Sequence, residues 1–446
     1  MVNKKELISF LSGDVLSFIL SLWLALAIRN TSIPTGDVLV ANLLPFLVVF
    51  VIWILAFFVA GLYDKQRIAQ RRQLPILLFQ TQLFNSVVAI ILFYIIPALG
   101  ITPKTILFLT LLLSLGFSFV WRVYLISIVG KKRKEKAIVI AQGAEVDELV
   151  HELNHNTHSG LEVVSVVGVQ GLSPENFEQM ILRTIKENKV SLLIIDFADD
   201  QIARVVAGLY RLLFDNVRFA DFCRLYEEVF DKLPVDMLRY QWFIENISLA
   251  PKPGYDLLKR IMDVILALVP GVLSLVVYPF VYIAIKLDDN GPIFIAQERV
   301  GKNGKKIKLH KFRSMSRNET DLESKKENKI TRVGGFLRKT RIDELPQLWS
   351  VFVGDQSIIG PRPELPSGVA VYDKQIPYYN IRHLIKPGLS GWAQINQENH
   401  PHHNTAIQET KEKLSYDLYY IKNRSFALDV VIALKTLKTL LSRKGK

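Results

Sequence analysis

Two carboxylates stand side by side in Arg338-Lys339-Thr340-Arg341-Ile342-Asp343-Glu344-Leu345-Pro346-Gln347-Leu348. Proline is best tolerated in the first turn of a helix, so Pro346 predicts a helix start and puts Asp343 at or near its N-terminus. Free backbone N–H groups and the helix dipole make such a position favourable for phosphate. The purely structural alternative has Asp343 capping the helix and Glu344 exposed. A second segment, Gly354-Asp355-Gln356-Ser357-Ile358-Ile359-Gly360-Pro361-Arg362-Pro363-Glu364, holds Arg362 between two prolines. These restrict the backbone and pre-position a bidentate phosphate ligand, unless the segment is only a rigid turn. A third, Lys308-Leu309-His310-Lys311-Phe312-Arg313-Ser314-Met315, alternates like a strand and carries Lys311 and Arg313 on one face.

The charge of the whole chain favours the same chemistry. Of its 446 residues, 55 are Lys or Arg and 42 are Asp or Glu, a net charge of +13. Residues 251–446 hold 32 basic against 19 acidic side chains, while the preceding part balances at 23 of each. A basic half serves nucleic acid, anionic lipid headgroups or a phosphorylated substrate. Half the residues are hydrophobic and the mean hydropathy is +0.23, which favours the last two and argues against nucleic acid. Cys223 is the single cysteine, so no intramolecular disulfide and no cysteine-based metal site is expected.

Four apolar stretches, about Leu7 to Ile28, Val38 to Leu62, Leu74 to Leu99 and Thr105 to Val129, are each near the ~20 residues that span a bilayer. They predict a four-helix transmembrane bundle over 1–130. Lys4 and Lys5 precede the first stretch, and Lys65, Arg67, Arg71 and Arg72 follow the second. The run from Lys131 to Lys136 follows the fourth, so both ends of the bundle should be cytoplasmic. A signal peptide is disfavoured, because three further spans follow and no small-residue cleavage site does. Arg122 lies near the cytoplasmic end, where it is expected to snorkel to the interface.

From 136 to 250 short apolar runs, Ala137 to Ala141, Val163 to Val169, Val190 to Phe197 and Val217 to Phe222, alternate with helical patterns near 145–155, 175–188 and 199–214. A small Rossmann-like parallel α/β domain is expected. After its first strand, Gln142-Gly143-Ala144-Glu145-Val146-Asp147 has one glycine where a dinucleotide fingerprint needs three, so a structural or dimerising role is favoured over nucleotide binding. A homodimer through this domain is a natural expectation. His151, His155 and His158 read as a solvated helix end rather than a metal face, and His400, His402 and His403 as a polar loop.

From Val264 to Ile285 there is no charge, but basic residues flank the stretch on both sides and Pro270-Gly271 and Tyr278-Pro279 interrupt it. A re-entrant helix hairpin over 264–285 reconciles these signals better than a fifth span. The terminal stretch Phe426 to Leu441 is amphipathic, and either lies on the membrane surface or packs on the core.

At this point the chain resembles the bacterial polyprenyl-phosphate hexose-1-phosphate transferases, the monotopic phosphoglycosyl transferases, over about Tyr255 to Lys446. The resemblance rests on Phe312-Arg313-Ser314-Met315, Ile342-Asp343-Glu344-Leu345-Pro346-Gln347-Leu348, Gly360-Pro361-Arg362-Pro363 and Lys386-Pro387-Gly388-Leu389-Ser390-Gly391-Trp392-Ala393-Gln394-Ile395-Asn396. It implies a mixed membrane protein whose α+β catalytic domain, 255–446, carries the re-entrant hairpin, at the cytoplasmic face of the bacterial inner membrane. The implied reaction moves a sugar-1-phosphate from a UDP-sugar to undecaprenyl phosphate and releases UMP, starting a surface glycan. Asp343 would be the nucleophile, Glu344 (with Asp343) would hold Mg²⁺, and Arg338 and Arg362 would bind phosphate. Lys311 and Arg313 join them on charge alone. A membrane-attached nucleotide-sugar dehydratase or epimerase would need a glycine-rich fingerprint and a catalytic Tyr-x-x-x-Lys, and the nearest instance, Tyr282 to Lys286, lies inside the hairpin. A non-catalytic scaffold for glycan assembly would need neither carboxylate.

Overall fold

A computed structural model of the chain describes residues 4–63, 74–95, 104–125, 134–156, 160–168, 174–199, 201–202, 207–248, 250, 252–288, 290–315, 330–397 and 407–441. His158 and the histidines at 400, 402 and 403 lie outside these residues, as do Lys65, Arg67, Arg71, Arg72 and Lys131 to Arg133. The chain divides into two compact units, Met1–Phe230 and Asp231–Lys446.

The first unit opens with four apolar helices, α1 (Lys4–Asn30), α2 (Gly36–Ala60), α3 (Leu74–Ile95) and α4 (Lys104–Phe119), each long and apolar enough to cross a membrane, the fourth when continued through the following turn to Arg122. Helix α2 continues through Pro45 and ends on Gly61, whose left-handed conformation at φ 80° lets Leu62 N donate back to the Phe57 carbonyl at 3.0 Å. Phe18, Phe46, Trp53 and Phe57 fill the centre, with Phe18 edge-on to Trp53 at 5.1 Å.

Arg122 corrects the expectation of snorkelling. It lies in a single π-helical turn, Val120–Leu125, and is 3 % exposed. Its guanidinium pairs with Asp14 of α1, with Nε 3.0 Å from Oδ1, and donates through Nη1 to the Leu62 carbonyl at 2.8 Å. Tyr63 Oη completes the set on Asp14 at 2.7 Å. A counter-charge on a neighbouring helix and a carbonyl left free at the end of α2 offset the cost of desolvation, so the side chain turns inward.

The rest of the unit is a parallel sheet of β1 (Glu135–Ile140), β2 (Leu161–Val167), β3 (Leu192–Ile195) and β4 (Arg218–Asp221) in the order β2-β1-β3-β4. Its strands fall within two or three residues of the apolar runs that predict them. Helices α5 (Ala144–His155), α6 (Pro174–Asn188) and α7 (Phe222–Phe230) accompany the strands, and Phe177 and Ile181 of α6 pack on Ile138, Ile140, Leu193 and Ile195. Of the helical pattern near 199–214, the described residues show helix at 201–202 and a 3₁₀ segment, Ala207–Leu213. His151 and His155 stack at 4.1 Å on the exposed end of α5.

In the second unit, residues 231–237 are held by the unit's own side chains: Trp392 Nε1 donates to the Asp231 carbonyl at 2.8 Å and Tyr419 Oη to Asp231 Oδ1 at 2.9 Å. Helix α8 (Tyr240–Asn246) follows, then the uncharged stretch. That stretch forms α9 (Pro253–Ser274) and α10 (Tyr278–Asp288), bent by 59° at the three residues between them. The helix continues through Pro270-Gly271, and Tyr278-Pro279 begins the second arm, where a proline needs no N–H partner. Polar groups at the base of α9 fix the hairpin: Asp263 accepts from Ser357 Oγ and Ile358 N, both at 2.9 Å, and Lys259 meets Asp429 at 3.2 Å and the Ile359 carbonyl at 3.0 Å.

Around it stand the antiparallel pair β5 (Phe294–Val300) and β6 (Lys306–Phe312), then α11 (Arg332–Lys339), α12 (Gln347–Val353), β7 (Ser357–Ile359), α13 (Pro366–Gln375), β8 (Gly388–Ser390), α14 (Trp392–Asn396), α15 (Ile407–Lys422) and α16 (Phe426–Leu441). Strands β7 and β8 run parallel, and Gly360 N donates to the Ser390 carbonyl at 2.8 Å while Gly388 N donates to Pro361 at 2.9 Å. A Cβ on Gly360 would come 2.6 Å from the Lys386 carbonyl oxygen, which is why both motifs carry glycine at this crossing. Helix α16 buries Leu428, Asp429 and Ile432 in the unit and leaves Leu437 and Leu440 exposed, so its first half packs on the core.

Candidate active site

Asp343 and Glu344 sit on a short 3₁₀ turn, Ile342–Glu344, just before α12, with Pro346 at the start of that helix. Arg341, which opens the turn, is held at φ 58°, a left-handed conformation that costs a non-glycine residue about 1 kcal/mol or more. Such strain persists where the surroundings enforce it, and here it opens the turn that carries both carboxylates.

Asp343 is buried, and its Oδ1 has no hydrogen-bond partner among the described residues. Burial first, and the charge of Glu344 next, push its carboxyl up to about 6, against the pull of Lys311, Arg341 and Arg338. Glu344 behaves in the opposite way. Burial would raise it, but Arg362, 3.0 Å from its Oε1, and Arg341, at 3.7 Å, hold it below the usual carboxylate range. Two adjacent acids thus have their proton affinities pushed apart, the pattern of a pair with different tasks.

Lys311, on β6 opposite Ile295, is brought below the usual lysine range by burial and then by Arg299, while Asp343 and Glu344 pull it back. Arg338, in the last turn of α11, acts on both Asp343 and Lys311 through its charge. Arg313 is placed differently: strand β6 ends at Phe312, and the buried Arg313 donates through Nε to the Met315 carbonyl at 3.0 Å and packs where Gly291 leaves room. The structure therefore gathers Asp343, Glu344, Lys311, Arg338 and Arg362, and gives Arg313 a contact with the backbone of its own segment.

Arg341 and Arg299, to which the sequence reading gave no role, belong to the same set. Behind Arg362 lies a further group that sequence reading missed. Arg382, buried, donates through Nη2 to the Arg362 carbonyl at 3.0 Å, pairs with Asp417 at 2.7 Å and lies 3.6 Å from Glu364. Burial raises Glu364, but Lys413, in direct contact, and then Arg382 bring it down to about 2. Partners so far apart in the chain leave no local signature, and only burial reveals them.

A turn carrying two unlike carboxylates thus stands among cations, in the same unit as a bent apolar helix pair. The model of the bacterial sugar transferase family matches residues 254–443. A UDP-N-acetylgalactosamine-undecaprenyl-phosphate N-acetylgalactosaminephosphotransferase of Aeromonas hydrophila is 42 % identical over 202 residues, covering 44 % of this chain and 47 % of that protein. A UDP-glucose:undecaprenyl-phosphate glucose-1-phosphate transferase of Escherichia coli is 38 % identical over 184 residues, 40 % of this chain and 39 % of its own. The exopolysaccharide production protein PSS of Rhizobium leguminosarum is 36 % identical over 205 residues, 44 % of this chain and 98 % of that protein. The chain belongs to the bacterial sugar transferase family. Its matched segment spans less than half the length of the Aeromonas and Escherichia relatives.

Proposed function

We propose that the protein transfers a sugar-1-phosphate from a UDP-sugar to undecaprenyl phosphate, giving an undecaprenyl-diphosphate-sugar and UMP, the initiating step of exopolysaccharide, capsule or O-antigen synthesis. The observation that carries this reading is the buried Asp343, with an unpartnered oxygen, set among Lys311, Arg338, Arg341 and Arg362. An Asp343 oxygen attacks the sugar-linked phosphorus and the P–O bond to UMP breaks. An oxygen of the lipid phosphate then attacks the same phosphorus and frees the carboxylate. The cations neutralise the diphosphate and stabilise charge on the departing UMP.

Among the described residues no three His, Cys, Asp or Glu side chains gather as a metal site. Two adjacent carboxylates do suit Mg²⁺, which takes one or two protein oxygens together with substrate phosphates, and the orphaned Asp343 Oδ1 fits that need. Glu344, with Asp343, would hold the ion, which would supply charge neutralisation at the diphosphate.

The bent helix pair is read as a re-entrant hairpin that keeps this site at the cytoplasmic face of the bacterial inner membrane. A cysteine introduced as Lys308→Cys, with Cys223 replaced, should react with an impermeant thiol reagent only after the cytoplasmic face is opened. Labelling in intact spheroplasts would establish a fifth span instead. The parallel sheet of the first unit is read as Rossmann-like, with Glu145 reaching back over Gly143 where a pyrophosphate would lie. Exposed Tyr210, Leu213 and Phe214, the last 84 % exposed, support a homodimer through this domain. Light scattering of the solubilised protein should give twice its 50.8 kDa, and a monomer would remove that reading.

The direct test is UMP release by the purified protein from a panel of UDP-sugars with undecaprenyl phosphate. The relatives' names specify different sugars, so the panel also identifies the donor. Arg362→Lys keeps the charge but loses the planar fork, and should lower kcat/KM by about 1.5 to 3 kcal/mol in the same assay. No UMP from any donor would leave the scaffold reading.

A further inference from the structure

A second group of cations lies at the foot of α9, separate from those named around Asp343. Arg260 donates through Nη1 to the Val351 carbonyl at 3.0 Å and through Nη2 to the Phe352 carbonyl at 2.7 Å, closing the C-terminal end of α12. Each of these nitrogens carries two hydrogens, so one apiece remains. Gly354 follows, at φ 105°, and a Cβ there would lie 3.4 Å from Lys386 Nζ and 3.7 Å from both Arg260 Nη atoms. Two cation heads therefore converge over backbone with no side chain between them. Lys302 contributes a third charge. Burial, then Arg260, and further Lys302 keep Lys386 below the usual lysine range, opposed by Asp263 and Asp355. Among the described residues, neither the Lys302 nor the Lys386 ammonium has a hydrogen-bond or ion-pair partner. Like charges crowded in this way are relieved by an anion.

The surroundings indicate which anion. Arg260 precedes Val264, where the uncharged run begins, by about 6 Å of helix, which is headgroup depth for a hairpin that enters the membrane there. Leu257 and Ile261 on α9, and Phe352 and Val353 at the end of α12, are exposed on the same two elements. An inorganic phosphate would satisfy the charges and leave these side chains in water. A zwitterionic headgroup would bring an ammonium toward three cations.

We propose that Arg260, Lys302 and Lys386 form a site for the phosphate of an anionic phospholipid headgroup, with Leu257, Ile261, Phe352 and Val353 against its acyl chains. The proposal rests on the membrane-inserted hairpin read above. Its role is to hold the catalytic unit at a fixed depth.

The test is the Tm of the full-length protein in uncharged detergent, with phosphatidylglycerol, phosphatidylcholine or inorganic phosphate added at matched concentration. Phosphatidylglycerol should raise Tm by about 2 to 4 °C and the other two should not. The Lys302→Ala/Lys386→Ala variant should lose that rise and Lys302→Arg/Lys386→Arg should keep it, each melting like wild type without lipid. Equal rises in wild type and the alanine variant would place the lipid elsewhere and overturn the site. An equal rise with phosphatidylcholine would overturn its charge selectivity. Inorganic phosphate alone reproducing the rise would replace it with a free-phosphate site. Failure of the hairpin reading itself appears separately, as Lys308→Cys labelling in intact spheroplasts.

Discussion

Asp343→Asn should abolish transfer, with kcat lower by about 10⁴-fold or more, as befits the loss of a nucleophile rather than of one binding contact. The amide keeps the size and the local packing of the buried side chain but carries no charge. Incubated with a UDP-sugar bearing ³²P on its sugar-linked phosphate and no lipid, the wild-type protein should retain label, and the variant should not. Initial-rate lines at several lipid concentrations should run parallel, because UMP leaves before the acceptor reacts. The geometry makes this covalent route reasonable despite two anions meeting. Lys311, Arg338 and Arg341 bear on Asp343, and Arg362 hydrogen-bonds its neighbour Glu344 while acting on Asp343 through its charge. Direct attack by the lipid phosphate would need both substrates together, with Asp343 serving as metal ligand or base. Intersecting lines and no trapped label in wild type would refute the covalent step while leaving the transferase reading intact.

The parts of this molecule that sequence made legible are those governed by local rules. Period and length define the four apolar helices, and alternation with turns defines β1 to β4, because burial of a face imposes a repeat on consecutive residues. Asp343, Glu344 and Arg362 were marked by proline and by adjacency. The features sequence left open depend on chain segments meeting. Arg122 carries no local sign of whether it reaches water or Asp14, which lies on another helix. Lys311 and Arg313 share a face only while the strand continues, and β6 stops between them. The hinge offered two proline sites, and the structure bends at the residues before Tyr278 because α12 supports the region around Gly271, where Leu348 and Trp349 lie against it. Arg341 required knowledge of its left-handed backbone, which no residue type announces.

The buried group behind Arg362 should prove the most sensitive part of the second unit. Arg382 and Lys413 balance Glu364 and Asp417, so the cluster is neutral as a whole. Arg382→Met fills a similar volume but leaves one uncompensated negative charge, and it leaves the Arg362 carbonyl without its 3.0 Å donor. Breaking a buried pair on one side costs about 3 to 5 kcal/mol, or roughly 10 °C in Tm for a unit of this size. Loosening the backbone of Arg362 should also lower kcat/KM even where the variant is folded. A pH signature separates this account from simple loss of packing. Burial already raises the Asp417 carboxyl, and Arg382 pulls it down. Without the guanidinium its folded-state pKa rises further above its unfolded value. Protonation then favours the folded state, so the deficit in Tm should be largest at neutral pH and narrow as pH falls through that raised pKa. A second change, Asp417→Leu, removes the stranded charge and should recover part of the loss. A variant that melts with wild type, or whose deficit is the same at pH 5.5 and pH 8, would show that Arg382 contributes volume and no charge balance.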